Sequence, residues 1–184
     1  MSDPTIRISK FLSLVLRHKP EAVGVELDPN GWVAVDALLQ SAAARGTVIS
    51  RELLDEIVFT NDKQRFAFSD DGTKIRANQG HSVAVDLGLE PVEPPDRLFH
   101  GTATRFLPSV EAEGIDRRTR RHVHLSGSPE QARRVGARHG RPVVLAVQSG
   151  RMHAEGTPFY RSENGVWLTD RVPVGYFEVF EPNA

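Results

Sequence analysis

Seven residues divide this chain. Glu90-Pro91-Val92-Glu93-Pro94-Pro95-Asp96 carries three prolines and three acids and has no apolar period. Proline lacks the backbone N–H and fixes its own φ, so neither a helix nor an inner strand runs through such a stretch. The chain is therefore expected to form two bodies, residues 1–89 and 97–184, joined by a linker at 90–96. With 184 residues and 39% apolar content, a sizeable core is possible.

The first half reads as helices closed by a hairpin. Ile8, Phe11, Leu12, Val15 and Leu16 fall on one stripe of a helix over 6–18. Lys19-Pro20 stops it, which leaves Arg17 and His18 at its end. Cations there suit the helix dipole, and they could equally be presented into a cleft. Asp28-Pro29-Asn30-Gly31 is a turn, and Trp32-Val33 begins a strand. A second helix spans 35–45 and is ended by Gly46; a third spans 50–59, with Ser50 as its N-cap. Asn61-Asp62-Lys63-Gln64-Arg65 turns into the strand Phe66-Ala67-Phe68, and Lys74-Ile75-Arg76-Ala77 returns after Asp70-Asp71-Gly72. Three helices followed by a β-hairpin form the winged-helix pattern, a fold that does not by itself fix a function. A polar stretch, Arg76-Ala77-Asn78-Gln79-Gly80-His81-Ser82, closes this half.

The second half is strand-rich, which makes the whole chain α+β. Strands are expected over 97–102, 142–148 and 173–180, with short helices over 106–113 and from Ser128-Pro129 to about 139. Residues 150–158 read as loop, and Phe159–Ser162 leads into Asn164–Thr169. Arg120-Arg121-His122-Val123-His124-Leu125-Ser126 reads as a strand. Alternation puts Arg120, His122, His124 and Ser126 on one face, and Val123 and Leu125 on the other. That polar face suits phosphates and ribose hydroxyls, and it equally suits an edge strand in water. Trp32, Trp167, Phe159 and Tyr160 are expected in the core. Arg133, Arg134 and Arg138 should form the wet face of a helix, and His139 and His153 should lie on the surface.

Several classes are excluded. There is no cysteine, hence no disulfide, thiolate metal site or cysteine nucleophile. No apolar run is long enough to span a bilayer, and Met1-Ser2-Asp3-Pro4 does not open a leader peptide, so a cytoplasmic protein without a membrane partner is expected. No His-Glu-x-x-His pair, Gly-x-Gly-x-x-Gly loop or phosphate loop is present, and no metal is expected. The net charge is −1, yet only Lys10, Lys19, Lys63 and Lys74 among the cations are lysines. The rest are arginines, whose planar forks hold phosphate bidentately.

Six stretches then converge on one family: Leu16-Arg17-His18, Asn61–Phe66, Arg76–Ser82, Leu98-Phe99-His100-Gly101-Thr102, Arg120–Ser126 and Asn164-Gly165-Val166-Trp167-Leu168-Thr169. In this order the chain resembles the Tpt1/KptA family of NAD-dependent RNA 2′-phosphotransferases. The resemblance implies a winged-helix lobe for RNA and an ADP-ribosyltransferase-like lobe for NAD. It implies removal of an internal 2′-phosphate, such as a tRNA splice-junction phosphate, by transfer to NAD through an ADP-ribosylated RNA. The products would be RNA with a 2′-hydroxyl, nicotinamide and ADP-ribose 1″,2″-cyclic phosphate.

By the same resemblance, Arg17, His18, Arg65 and Arg120 are the catalytic residues. His18 would bind the phosphate or move a proton. The family pattern has arginine two positions before the first histidine, which selects Arg120 over the neighbouring Arg121, and strand alternation agrees. Lys63, Arg76, Gln79, His81 and Ser82 join Arg17, His18 and Arg65 in RNA contacts. His100, Gly101, Thr102, His124, Leu125, Ser126 and Val166 line the NAD site. Val166 stands where protein-modifying relatives have a glutamate, which argues against protein ADP-ribosylation. A monomer acting on tRNA-like RNA is expected. The alternatives are an ADP-ribosyltransferase that caps phosphorylated RNA or DNA ends, and a non-catalytic RNA-binding module.

Overall fold

The computed structural model describes residues 4–61 and 63–181. The opening residues Met1-Ser2-Asp3 and Asp62 of the Asn61–Phe66 stretch lie outside the described residues. Contacts divide the chain into two compact units, Met1–Gly88 and Leu89–Ala184.

The first unit starts with α1 (Pro4–Arg17), whose buried face is Ile8, Leu12, Val15 and Leu16. Pro20 follows and opens a short 3-10 turn, so the helix ends where proline dictates. The Asp28 carboxylate accepts from the amides of Asn30 (3.0 Å) and Trp32 (2.9 Å), and Gly31 takes φ +83°. That turn delivers β1 (Val33–Ala34) straight into α2 (Val35–Ala44). In α3 (Arg51–Thr60) the Ser50 hydroxyl accepts from Leu53 N at 3.2 Å, an N-cap bond. β2 (Phe66–Phe68) and β3 (Lys74–Ala77) form an antiparallel hairpin, and β1 joins it to give the order β1-β3-β2. The tip is pinned by Asp71, which accepts from Ser69 Oγ, Thr73 N and Thr73 Oγ1. Those bonds hold its carboxyl down at about 2. One apolar core, including Leu12, Leu16, Leu38, Leu54, Ile57 and Ile75, lies beneath.

The second unit contains β4 (Leu98–Ala103), α4 (Leu107–Glu113), β5 (Ile115–Asp116), β6 (Val123–Leu125) and α5 (Pro129–Gly136). After these come β7 (Pro142–Val147), α6 (Ser149–Ala154), β8 (Tyr160–Arg161), β9 (Trp167–Thr169), β10 (Arg171–Val172) and β11 (Phe177–Val179). Its antiparallel sheets have the orders β11-β7-β4, β6-β9-β8 and β10-β5. Phe99 and Ser126 exchange backbone bonds of 2.9 and 2.7 Å, which tie β4 to β6. Leu98, Leu125, Leu145, Phe159 and Trp167 belong to the core. The described residues thus form an α+β chain with six α-helices and small antiparallel sheets.

Four expectations change. Residues 150–158 are not all loop, because α6 occupies their start. Tertiary contacts fix it: Ser149 Oγ donates to Pro95 O at 2.7 Å, and Gly150 lies so close to Asp96 that a Cβ would come within 2.9 Å. The proline-rich stretch is correspondingly tied to the second unit, also through Val92 N to Phe159 O at 2.8 Å. The expected strand over 120–126 is shorter, since Arg120, Arg121 and His122 precede β6 in a bend. Finally, the expected strand over 173–180 is only Phe177–Val179, while β5 and β10, two residues each, carry no sequence signal of their own and exist by pairing with one another.

Candidate active-site residues

In the first unit, three distant segments meet at the C-terminal end of α1. Arg17 Nη2 donates to Arg65 O at 3.3 Å, and its guanidinium carbon lies 5.9 Å from the centre of the Phe66 ring. His18 Nδ1 lies 2.9 Å from Ser82 Oγ. Ser82 N donates to Arg17 O at 2.8 Å. Arg17, His18, Arg65 and Ser82 therefore form one cluster on a fixed frame. His18 and Ser82 are exposed, whereas Arg17 and Arg65 are half-buried. A cluster with two guanidiniums, an imidazole and a hydroxyl suits an oxyanion with several acceptor oxygens.

The turn that carries Arg65 is held hard. Asn61 Oδ1 accepts from Arg65 Nη1 and from Lys63 N, both at 3.0 Å. Asn78 Nδ2 donates to Gln64 O at 2.7 Å, and Asn78 N donates to Arg65 O at 2.9 Å. Gln64 sits between these anchors at φ +39°, an uncommon value for a residue with a Cβ. Asn61, Gln64 and Asn78 lie in the quoted stretches, but the sequence assigns none of them a role of its own. The left-handed Gln64 leaves no sequence trace, but the polar Asn78 directly after an apolar strand was a usable signal.

The remaining RNA-side residues are placed differently. Lys63 is exposed and Gln79 half-buried. Arg76 lies with its guanidinium 4.4 Å from the centre of the Trp32 ring, so the half-buried Trp32 is a platform for a cation as well as a packing residue. His81 is only 3% exposed and packs beside Gly31.

In the second unit, His100, His124 and Arg120 are linked. His100 Nδ1 lies 3.1 Å from His124 O. A carbonyl only accepts, so Nδ1 carries the proton and Nε2 is left as an acceptor. Burial pushes the His100 pKa down. The bond to His124 O opposes this, and the charges of Arg120 and Arg118 add to the depression. Arg120 Nη1 lies 2.9 Å from His124 Nδ1. A guanidinium only donates, so His124 Nδ1 accepts and its Nε2 carries the hydrogen when the ring is neutral. The two imidazoles therefore present opposite hydrogen-bonding edges. Partial desolvation lowers the Arg120 pKa, as does the charge of Arg138, and the side chain remains a cation. Arg138, read as part of a wet helix face, thus acts on Arg120. Arg118, at φ +54° with its amide on Asp116 Oδ1, acts on His100. Neither role is legible without the fold.

Gly101 has a packing reason. A Cβ there would stand 1.7 Å from Ala132 O in α5, and one on Gly136 would stand 2.5 Å from Thr102 O. The two glycines let α5 lie directly on β4. The Leu125 side chain is buried in the core, so only its backbone is on offer. Thr102 and Ser126 are half-buried. Val166 closes the β8–β9 turn, where Ser162 Oγ accepts from Val166 N at 3.1 Å. Tyr160 is half-buried, with its ring centre 5.7 Å from that of His122, and His153 is half-buried with Nδ1 enclosed.

Comparison with known proteins places this arrangement. The family model described as RNA 2′-phosphotransferase, Tpt1 / KptA family, matches residues 3–171. The chain belongs to this family. A protein of Acaryochloris marina named probable RNA 2′-phosphotransferase is 56% identical over 170 residues, covering 92% of this chain and 94% of that protein. One of Agrobacterium fabrum with the same name is 55% identical over 93% of this chain and 92% of its own length. A third, of Nostoc punctiforme, is 52% identical over 97% of this chain and 99% of its own. The family match spans both units, so the α1-end cluster and the His100–His124–Arg120 link both fall inside it.

Proposed function

We propose that this protein is an enzyme that removes an internal 2′-phosphate from RNA by transferring it to NAD. The observation that carries the reading is the convergence of three segments, carrying Arg17 and His18, Arg65, and Ser82, at the end of α1. A 2′-phosphate carries up to two negative charges and must be held still while it reacts. Preorganised guanidiniums meet that need without reorganising as charge develops. Asn61 fixes the Arg65 fork, and Ser82 fixes the His18 ring. The His18 imidazole is suited to hydrogen-bond the phosphate or to carry its proton.

Three helices closed by the β2–β3 hairpin, which β1 extends to a small antiparallel sheet, support the winged-helix reading of the first unit, as the body that holds RNA. The second unit supports the ADP-ribosyltransferase-like reading through its donor set. His100 Nε2 is an acceptor for a ribose hydroxyl, and His124 Nε2–H is a complementary donor. Those edges fit the ribose part of a dinucleotide. When bound, NAD supplies an electrophilic anomeric carbon whose leaving group is nicotinamide. Arg120 holds His124 in its tautomer and adds positive charge. The family's essential basic quartet is therefore assigned to Arg17, His18, Arg65 and Arg120, and Val166 leaves no carboxylate at its position to activate a protein nucleophile.

The test is nicotinamide release from NAD. It should be stimulated by an RNA bearing one internal 2′-phosphate and not by the same RNA with a 2′-hydroxyl. Equal release with both RNAs would remove the 2′-phosphate from the reaction.

A further inference from the structure

Helix α1 carries two neighbouring stripes that end at the phosphate cluster. Thr5, Ser9 and Ser13 recur every four residues and lead to Arg17. Ile6, Lys10 and Leu14 recur likewise and lead to His18. Residues four apart on a helix are neighbours on its surface, so each stripe is continuous. Together the stripes line one wall of a groove of about 630 Å³, with Asn61 and Arg65 on the other side.

Three properties of this groove point to one occupant. Among the described residues that line it none is acidic, while Lys10, His18 and Arg65 are basic. It is continuous with the cluster: Asn61 Nδ2 donates to Ser9 Oγ at 3.4 Å while Asn61 Oδ1 holds Arg65. Ile6 and Leu14 are 52% and 43% exposed, although the core face of α1 is already filled by Ile8, Leu12, Val15 and Leu16. Hydroxyls for ribose, a cation for phosphodiester and apolar side chains for the faces of sugars and bases are the set a single nucleic-acid strand needs.

We propose that the α1 groove is a track for the single-stranded RNA that flanks the 2′-phosphate. The proposal rests on the function proposed above, because His18 and Arg65 belong to both the groove and the cluster. From Thr5 to Arg17 the track covers roughly 18 Å. Among the described residues it carries no aromatic platform and no base-reading fork beyond Arg65, so it favours length over sequence. Substrate choice would then depend on how much unpaired RNA lies on one side of the modified nucleotide.

The experiment uses the full chain and RNAs with one 2′-phosphate and a flank lengthened on the 5′ or the 3′ side. The expected result is that kcat/KM rises with length on one side only and levels off once the flank spans about 18 Å. The double variant Lys10→Glu, Leu14→Asp, both at exposed positions, should bring the ratio of long- to short-RNA kcat/KM to about one and reduce the salt slope of long-RNA binding by about 1. Length-independent rates, or an equal loss on short and long RNA in a variant with unchanged melting, would overturn the track. If no RNA is turned over at all, the phosphotransferase reading fails and fluorescence anisotropy with the same RNAs decides the groove. Length-dependent affinity that the double variant abolishes upholds it, and affinity blind to both overturns it.

Discussion

The Arg120 guanidinium donates to Nδ1 of His124 across 2.9 Å, and that bond decides which edge of His124 is a donor. The backbone carbonyl of the same His124 accepts from His100, so one residue sets the orientation of two imidazoles and one cation. Arg120→Lys keeps the charge and loses the fork that orients the ring. It should lower kcat/KM by about 10²-fold, close to the loss from Arg120→Ala, with the melting temperature unchanged. Near-normal activity in Arg120→Lys would mean that charge alone suffices.

A pH prediction follows from His100. Its folded pKa lies below its ordinary value, chiefly through burial. Below pH about 6.5 the unfolded chain takes up a proton that the folded chain refuses, so stability present above that pH is lost as pH falls through the folded pKa. Urea midpoints at pH 7.5 and 5.5 should show the loss, and His100→Asn should diminish it. An identical pH slope in the variant would remove His100 as the cause.

Asn61 is predicted to act through Arg65. Asn61→Ala removes the acceptor for Arg65 Nη1 and should cost roughly tenfold in kcat/KM. Asn61→Asp should cost more, because a carboxylate would pair with the guanidinium and repel the substrate phosphate. If Asn61→Asp proves the more active of the two, Asn61 does not serve to keep Arg65 available.

Gly101→Ala should be a folding lesion. Its Cβ would meet the α5 backbone at 1.7 Å, and overpacking of that kind costs about 3 kcal/mol or more. Gly127→Ala, with nothing within 4 Å, is the control. Thermal melts should separate the pair by several degrees; equal melting would mean α5 moves away freely.

Much of the first unit was legible in the sequence because its signals are local. The α1 stripe, the Ser50 cap, the Asp28 turn and the Asp71 hairpin tip each depend on residues within a few positions of one another. What failed depends on distant contacts. α6 holds a glycine and shows no apolar period, and it is set by Pro95 and Asp96. Gly101 reads naturally as a place for a ligand to approach, yet the neighbour it admits is a helix. Arg120 reaches His124 from a bend, not along a strand face, so alternation favoured it over Arg121 for a reason that does not hold. The burial of the His81 and Leu125 side chains is likewise not legible from motif spacing.

The most direct measurement takes a short RNA with one internal 2′-phosphate and follows its mass with the protein, with and without NAD. The account predicts loss of one phosphate only when NAD is present, with ADP-ribose 1″,2″-cyclic phosphate released in equal amount. An RNA that keeps its phosphate, or loses it equally well without NAD, would contradict it.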